Sequence, residues 1–473
     1  MSIEGSSARM SRRRLLREAS VGFGSAALAA LLNDQAMAER KPGTSGEEVP
    51  RPHFLPKAKS VIFLFMDGGV SQVDSFDPKP RLERENGQKP KFKIDATVFN
   101  SLGNILASPW KFKRHGDSGV PISELFPHLG EHADELCVIR SMTAFSPNHP
   151  NAVYGLHTGL ARMGRPSMGA WVSYGLGSAS ENLPSFVVLH GGITPNGGVP
   201  NFGSGFLPAS HQGSVLRPGA PMRNITPRES PQAQKRKLAR LREIDGDLLG
   251  RIGHAPQIES AIRSHEMAFR MQMEVPEVMD ISGETASTKR MYGFEAKWGN
   301  TRKFAAQCLL ARRMVERGVR FIELTTSGGN GDRWDQHENL EDGHAKNALS
   351  VDQPIAALIQ DLRQRGLLDS TLLVFSGEFG RTPFAQGSNG RDHNPQGFSL
   401  WMAGGGSRAG TIYGATDEYG YRVVENKLTF HDIHANILHL LGIDHKRLTY
   451  RFGGRDMRLT DVHGEIIPEI VGT

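Results

Sequence analysis

Four short stretches put acids and imidazoles where a folded chain would gather them. In KSVIFLFMDGG an apolar run ends in one carboxylate, Asp67, followed by two glycines. VRFIELTTSGGNGDRWDQHENL carries Asp335 and His337 after a second such run, and TLLVFSGEFGRT carries Glu378 and Arg381 after a third. SNGRDHNPQGFSLWMAG places Asp392 and His393 just ahead of a fourth. Hard carboxylate oxygens mixed with imidazole nitrogens suit a divalent cation such as Zn²⁺, Mn²⁺ or Ca²⁺, and neutral histidine favours the first two. A single loop Asp or His is ordinarily just solvated. Ligand-type groups at several successive strand ends instead predict one shared site.

For these residues to meet, the runs beside them must be neighbouring strands. Short β-branched runs alternate with helical patterns: VIFLFM, a helix near Asn151–Gly159, FVVLH, a helix ending in RRMVERG, VRFIELT, a helix around Asp352–Arg365, and TLLVFSG. That alternation predicts an α/β fold with a mostly parallel sheet flanked by helices, and such sheets bind ligands outside the carboxyl ends of their strands. Asp67 stands at such an end, on glycines that let the chain turn tightly. Thr301 is the expected N-cap of a helix over Lys303–Arg317, with Gly318 as the residue that ends it. Residues 191–228 are rich in Gly, Pro and Asn, and Glu229–Met273 reads as two charged amphipathic helices. An insertion over about 191–290, covering one mouth of the sheet, is expected. Residues 39–57 read as a linker, which leaves 58–473 as the folded domain.

The chain has 473 residues, 38% hydrophobic and 22% charged, within the range of a soluble globular protein. Its formal charge of +6 is modest, and the basic residues are scattered without a nucleic-acid-binding signature, so no nucleic-acid partner is indicated. The start reads MSRRRLLREAS, then the apolar run VGFGSAALAALL, then Ala36-Met37-Ala38. A basic segment, a short apolar stretch and a small-x-small triplet make residues 1–38 an export signal, too short for a membrane span. Ser11 to Arg17, SRRRLLR, resembles the twin-arginine motif, which implies the twin-arginine export machinery as a partner and a periplasmic or extracellular location. No later run is long enough to span a membrane, so no stable span is expected after processing. Cys137 and Cys308 lie in apolar surroundings and read as two buried thiols. His431, His434, His439 and His445 lie on or beside an amphipathic helix and read as packing or surface residues.

The order of strand-Asp67, Pro147-Asn148-His149, Asp335-x-His337, strand-Glu378-Phe379-Gly380-Arg381 and Asp392-His393 resembles the alkaline phosphatase superfamily. More closely, MDGGVSQVDSFDPKP, WDQHENL, FSGEFGRTP, GRDHNP and GRDMRLTDVHGEII resemble the twin-arginine-exported, sulfatase-like family catalogued as domain of unknown function fifteen-oh-one. The resemblance runs from Lys59 to about Ile467. It implies an alkaline-phosphatase-like fold and metal positions at Asp67, Asp335, His337, Glu378 and His393. Phe379 stands where the superfamily has a histidine, which implies one well-bound ion or an asymmetric pair. Asn148 and Arg381 are implied substrate-binding positions, although Arg381 serves equally as a structural ion-pair partner.

The pyrophosphatase branch of that superfamily has a nucleophilic threonine where this chain has Phe145. Ser146 is the nearest hydroxyl, either a nucleophile or the N-cap before Pro147, and His149 is either a base or a ligand. Neither cysteine lies in the Cys/Ser-x-Pro-x-Arg context of formylglycine sulfatases. The resemblance thus implies an exported metal-dependent hydrolase of phosphate or sulfate esters, acting on a phosphorylated or sulfated small molecule or glycan. The ion would act as a Lewis acid and lower the pKa of a serine hydroxyl or a water. The alternative is a catalytically impaired protein of the same fold that binds a metal and a glycan or other anion.

Overall fold

The computed structural model describes residues 51–95, 102–180, 182–219, 229–253, 256–329, 331 and 333–472. The export signal expected over 1–38 and the expected linker up to residue 50 lie outside the described residues. In chain order the first twelve strands among the described residues are β1 (Ser60–Phe65), β2 (Phe112–His115), β3 (Val120–Ser123), β4 (Leu136–Met142), β5 (Phe186–Leu189), β6 (Ser214–Leu216), β7 (Phe321–Thr325), β8 (Thr371–Ser376), β9 (Gly380–Gln386), β10 (Gly390–Asn394), β11 (Phe398–Ala403) and β12 (Thr411–Tyr413). Eight of them form one sheet in the order β12-β4-β11-β8-β1-β7-β5-β6. All neighbours pair in parallel except β11, which runs against β4 and β8. The architecture is α/β with a mostly parallel sheet flanked by helices, as the alternation of patterns predicts.

The strand sequences explain why this sheet lies inside the molecule. Successive side chains of a strand point to opposite faces, so a strand covered on both sides must be apolar throughout. β1, SVIFLF, is buried at every position. Its Ile62 and Leu64 join an apolar cluster with Leu373 and Phe375 of β8 and with Phe304 and Leu358 from helices Gly299–Glu316 and Leu340–Gln364. Val61, Phe63 and Phe65 join a second cluster with Val153, Trp171 and Ile437 from helices His149–Thr158, Met168–Leu176 and Phe430–Leu440. Each such side chain removed from water stabilises the fold by about 1.5–3 kcal/mol. Glu323 of β7 breaks the apolar pattern, and burial of its charge is tolerable because His157 Nε2 lies 2.8 Å from its Oε1.

Several local expectations change. The helix expected from Asp352 begins at Leu340, because Leu340, Ala348 and Val351 extend its buried face. The helix expected from Lys303 begins at Gly299 with Trp298 as N-cap. Thr301 lies inside its first turn, and its hydroxyl donates to Leu349 O at 2.8 Å. Gly318, at φ +80°, follows the C-cap Arg317 as expected. Ahead of helix His149–Thr158 the N-cap is Asn148, while Ser146 Oγ accepts from Asn148 N at 3.1 Å, so Ser146 closes a turn before the helix and does not cap it. The Gly/Pro-rich stretch contributes the edge strand β6, parallel to β5. The charged segment behind it forms helices Pro231–Ile252 and Pro256–Met279, and Arg313 Nε anchors the second by donating to Val278 O at 2.9 Å.

Cys137 and Cys308 are buried, unpaired thiols. No helix among the described residues is long and apolar enough to cross a membrane. The C-terminal histidines pack and tie loops: His434 Nε2 reaches Leu156 O at 2.6 Å, His431 Nε2 reaches Gly159 O at 2.8 Å, and His445 Nδ1 reaches Thr460 Oγ1 at 2.8 Å.

Candidate metal centre

The carboxyl ends of β1, β4, β7 and β8 lie along one edge of the sheet, and the reversed β11 starts there, with Phe398 opposite Met142. Asp67 follows β1, Glu378 follows β8, Asp335 and His337 lie on the loop after β7, His149 opens the helix after β4, and His393 sits in β10 ahead of β11. Gly68 has φ +111°, and a Cβ on it would lie 2.7 Å from Trp334 N and 2.8 Å from Asp335 N. Only glycine lets the β1 turn touch the Asp335 loop. That contact is used: Trp334 N donates to Asp67 O at 2.9 Å, and Gly68 N donates to the two Glu378 oxygens at 3.0 and 3.1 Å. In the β9–β10 hairpin His393 stands opposite Arg381, with an irregular register between Arg391 and His393. A break of this kind re-aims a side chain.

These supports bring four residues together. His149, Asp335, His337 and His393 offer ligand atoms that all lie within 4.8 Å of one another, a group that could hold a metal ion. Asp335 Oδ1 lies 3.2 Å from His149 Nε2, 2.9 Å from His337 Nε2 and 3.2 Å from His393 Nε2. The Nε2 atoms of His337 and His393 are 3.0 Å apart. Bonds of about 2.0–2.1 Å in a tetrahedral site separate neighbouring ligand atoms by about 3.3–3.4 Å, close to this spacing. Each ring is held through its other nitrogen. His149 Nδ1 lies 2.5 Å from Glu378 Oε1, His393 Nδ1 lies 2.6 Å from Pro147 O, and His337 Nδ1 meets Gln386 Oε1. A carbonyl only accepts, so in His393 the Nδ1 carries the proton and, in the neutral ring, Nε2 presents its lone pair to the cluster. His149 Nε2 is buried and makes no hydrogen bond of good geometry. Metal-binding histidines are oriented in this way by outer acceptors.

The electrostatics follow from burial and these contacts. Burial alone would raise the Asp335 carboxyl, but the close imidazoles of His149, His337 and His393, together with the charge of Arg381, hold it far below the usual carboxylate range. Burial opposes charge on His149, yet Asp335 and Glu378 outweigh it and raise the ring to about 9. Burial lowers His393 to about 4, with the charges of Arg381 and His149 acting in the same direction. Burial and the neighbouring Glu378 push Asp67 up to about 6, against the pull of Arg333.

Other residues singled out from the sequence have different places. Asp67, 1% exposed, is not in the four-residue cluster; its Oδ2 lies 2.6 Å from Arg333 Nε, and its buried Oδ1 has no hydrogen-bond partner. Glu378, fully buried, stands behind His149 instead of joining the cluster. Arg381 is also fully buried. It donates to Asp335 Oδ1 at 2.5 Å, to Gly69 O at 3.2 Å, to Arg391 O at 3.1 Å and to Gly68 O, which makes it the ion-pair partner of its two alternatives. Asn148 is exposed and Ser146 half-buried, both on the loop that leads into His149. Asp392 lies in β10 with Oδ1 accepting from His393 N at 2.8 Å. The Phe379 ring packs against His149 and His393, with centroids 4.7 and 4.5 Å away. Sequence reasoning missed Arg333, Gln386 and the Pro147 carbonyl. Only Arg333 left a signal, as a cation two residues ahead of Asp335 in GDRWDQH.

No curated protein matches the chain. Solved structures similar to it include the lipoteichoic acid synthase of Listeria monocytogenes, at 10% identity over 89% of this chain and 78% of that one, with a TM-score of 0.39. A sulfatase from Pseudoalteromonas sp. is similar at 10% identity over 85% and 72%, TM-score 0.36, and the alkaline phosphatase of the Antarctic bacterium TAB5 at 11% over 81% and 98%, TM-score 0.35. A likeness of that size fixes neither substrate nor reaction. Residues 58–471 match the model of the family described as protein of unknown function (DUF1501), and the chain belongs to that family.

Proposed function

We propose that the protein is an exported, metal-dependent hydrolase of phosphate or sulfate esters, with His149, Asp335, His337 and His393 holding a divalent ion. The observation that carries this reading is the convergence of three Nε2 atoms on one carboxylate oxygen while each Nδ1 is engaged behind its ring. Without an ion these imidazoles satisfy the carboxylate as donors, and once their Nε2 protons are lost the same atoms present lone pairs that a divalent cation would hold together. Three nitrogens and one oxygen suit Zn²⁺ or Mn²⁺ and not Ca²⁺, which takes about six to eight oxygens. Held there, the ion supplies a Lewis acid for an ester oxygen. Glu378, Gln386 and Pro147 keep the three rings in place. Ser146 and Asn148 precede the N-terminus of helix His149–Thr158, where unpaired N–H groups and the helix dipole favour an anion. The ligand class is a phosphorylated or sulfated small molecule or glycan, met in the periplasm or outside the cell after residues 1–38 have directed export by the twin-arginine machinery.

Phe379 favours a second reading. Its buried ring fills space beside His149 and His393 that a further ligand would need, which fits a protein that holds a metal and an anionic glycan without turnover. Elemental analysis of protein purified without chelator, combined with a panel of aryl phosphates and aryl sulfates, separates the readings. Metal with turnover supports the hydrolase, metal without turnover on any ester supports the binder, and a folded protein that takes up no metal refutes both. Where turnover is found, Ser146→Ala identifies the attacking group: loss of hydrolysis with metal and fold retained makes Ser146 the nucleophile.

A further inference from the structure

We infer that the Arg333 guanidinium occupies the place beside Asp67 that a second divalent ion would take, so that the centre is mononuclear by construction. The inference rests on the metal-centre reading above and concerns what stands next to that ion. Asp67 and Glu378 are both almost wholly buried, and Gly68 N, which follows Asp67, donates to both Glu378 oxygens. Two adjacent buried carboxylates need a compensating cation. Arg333 Nε meets Asp67 Oδ2 at 2.6 Å, and Nη2 donates to Thr194 O at 2.8 Å. The guanidinium is thereby held between the end of β1 and the loop after β5, with its side chain only 18% exposed. Asp67 Oδ1 remains buried without a hydrogen-bond partner, a sign that this carboxylate has coordinating capacity beyond the arginine.

A neighbouring residue acts in the same direction as Arg333. Phe379 directs an apolar ring, not a donor, into the gap beside His149 and His393. Arg333 lies two residues ahead of Asp335, so a single loop delivers ligands to one centre and a fixed positive charge to the adjoining one. The buried carboxylates Asp67, Glu378 and Asp392 and the partly exposed Asp335 are matched by the guanidiniums of Arg333 and Arg381 and one divalent ion. A second dication added to this set would place an excess of positive charge in a dry site.

The test is the Zn²⁺ stoichiometry of the full chain, measured by calorimetric titration and by elemental analysis after dialysis against buffered Zn²⁺. Wild type should take up one ion, Arg333→Lys one ion, and Arg333→Ala two, the second at Asp67 and Glu378. Asp67→Asn should keep a stoichiometry of one ion at a lowered affinity, because Asp67 fastens the loop that carries Asp335 and His337 without being among the ligands. A wild type that takes up two ions, an Asp67→Asn chain that loses its ion, or a folded Arg333→Ala chain that still takes up one would each overturn the inference. The first and second of these readouts do not depend on Arg333→Ala being stable. A folded wild type that binds no Zn²⁺ would instead remove the metal-centre reading itself, so the two failures are distinguishable.

Discussion

Glu378→Gln changes no group assigned to the metal, yet it should weaken metal binding. The carboxylate is fully buried, accepts from His149 Nδ1 at 2.5 Å, and is itself positioned by Gly68 N at 3.0 and 3.1 Å. An amide keeps the shape and one acceptor and loses the charge. A hydrogen bond to a charged partner is worth about 1.5–3 kcal/mol, and loss of an outer partner of a metal-binding histidine costs about 10–100-fold in affinity. At about 1.4 kcal/mol per tenfold the two figures agree. Zn²⁺ affinity of Glu378→Gln should therefore fall by about 10–100-fold, read by competition with a chromophoric chelator near neutral pH, with a melting curve to show that the chain is folded. His434→Gln is the control, since that ring binds Leu156 O at 2.6 Å, on the helix that His149 opens but about two turns away, and is not in the cluster. Wild-type affinity in Glu378→Gln, or an equal loss in His434→Gln, would refute the assignment of Glu378 as the residue that orients His149.

Two further outcomes are expected. Replacing Arg12 and Arg13 together with Lys should leave the precursor inside the cell, while the unaltered chain appears outside with its N-terminus near Glu39; equal export of both would remove the twin-arginine reading. Burial lowers His434 from 6.5 to about 3 in the folded chain, so the unfolded chain takes up the proton first. Stability is then fully present above about pH 6.5 and falls as the solution is acidified, by about 1.4 kcal/mol per pH unit from this residue. His434→Gln should flatten the pH dependence of the urea midpoint between about pH 6 and about pH 5, and an unchanged slope would contradict the burial argument.

Much of the fold was legible because its strands are covered on both faces. The runs VIFLFM and TLLVFSG are largely apolar without alternation, VRFIELT is interrupted by Arg320 and Glu323, and each matches a central strand to within two residues. The same reading located the strand ends, and with them Asp335, His337 and His393. Helix starts were less legible. Leu340 and Gly299 begin their helices because buried positions extend upstream, a property of packing and not of capping residues such as Thr301. Roles within the site were hidden for a related reason. Asp67 and Arg333 are 266 residues apart, and whether a strand-end carboxylate meets a guanidinium or an ion depends on which loop folds over it. Arg381 looked able to face an anion because sequence does not reveal that its donors go to carbonyls of the turn Gly68-Gly69.

Those same carbonyls show how the site is kept in register. Gly68 touches the Asp335 loop on one side and Glu378 on the other, and its O accepts from Arg381, which also donates to Asp335. One dipeptide thus joins three strand ends through backbone groups that cannot change rotamer. A site set on strand ends is more precise than one set on free loops, and here the precision is applied to the spacing between Asp335 and His149. Asp67 occupies the root of this turn. Its carboxylate faces Arg333 while its carbonyl holds Trp334, so the acid and its backbone both fasten the loop that carries Asp335 and His337. The bare carboxylate after β1 is accounted for by that double attachment: it fastens the loop on which the candidate ligands Asp335 and His337 stand.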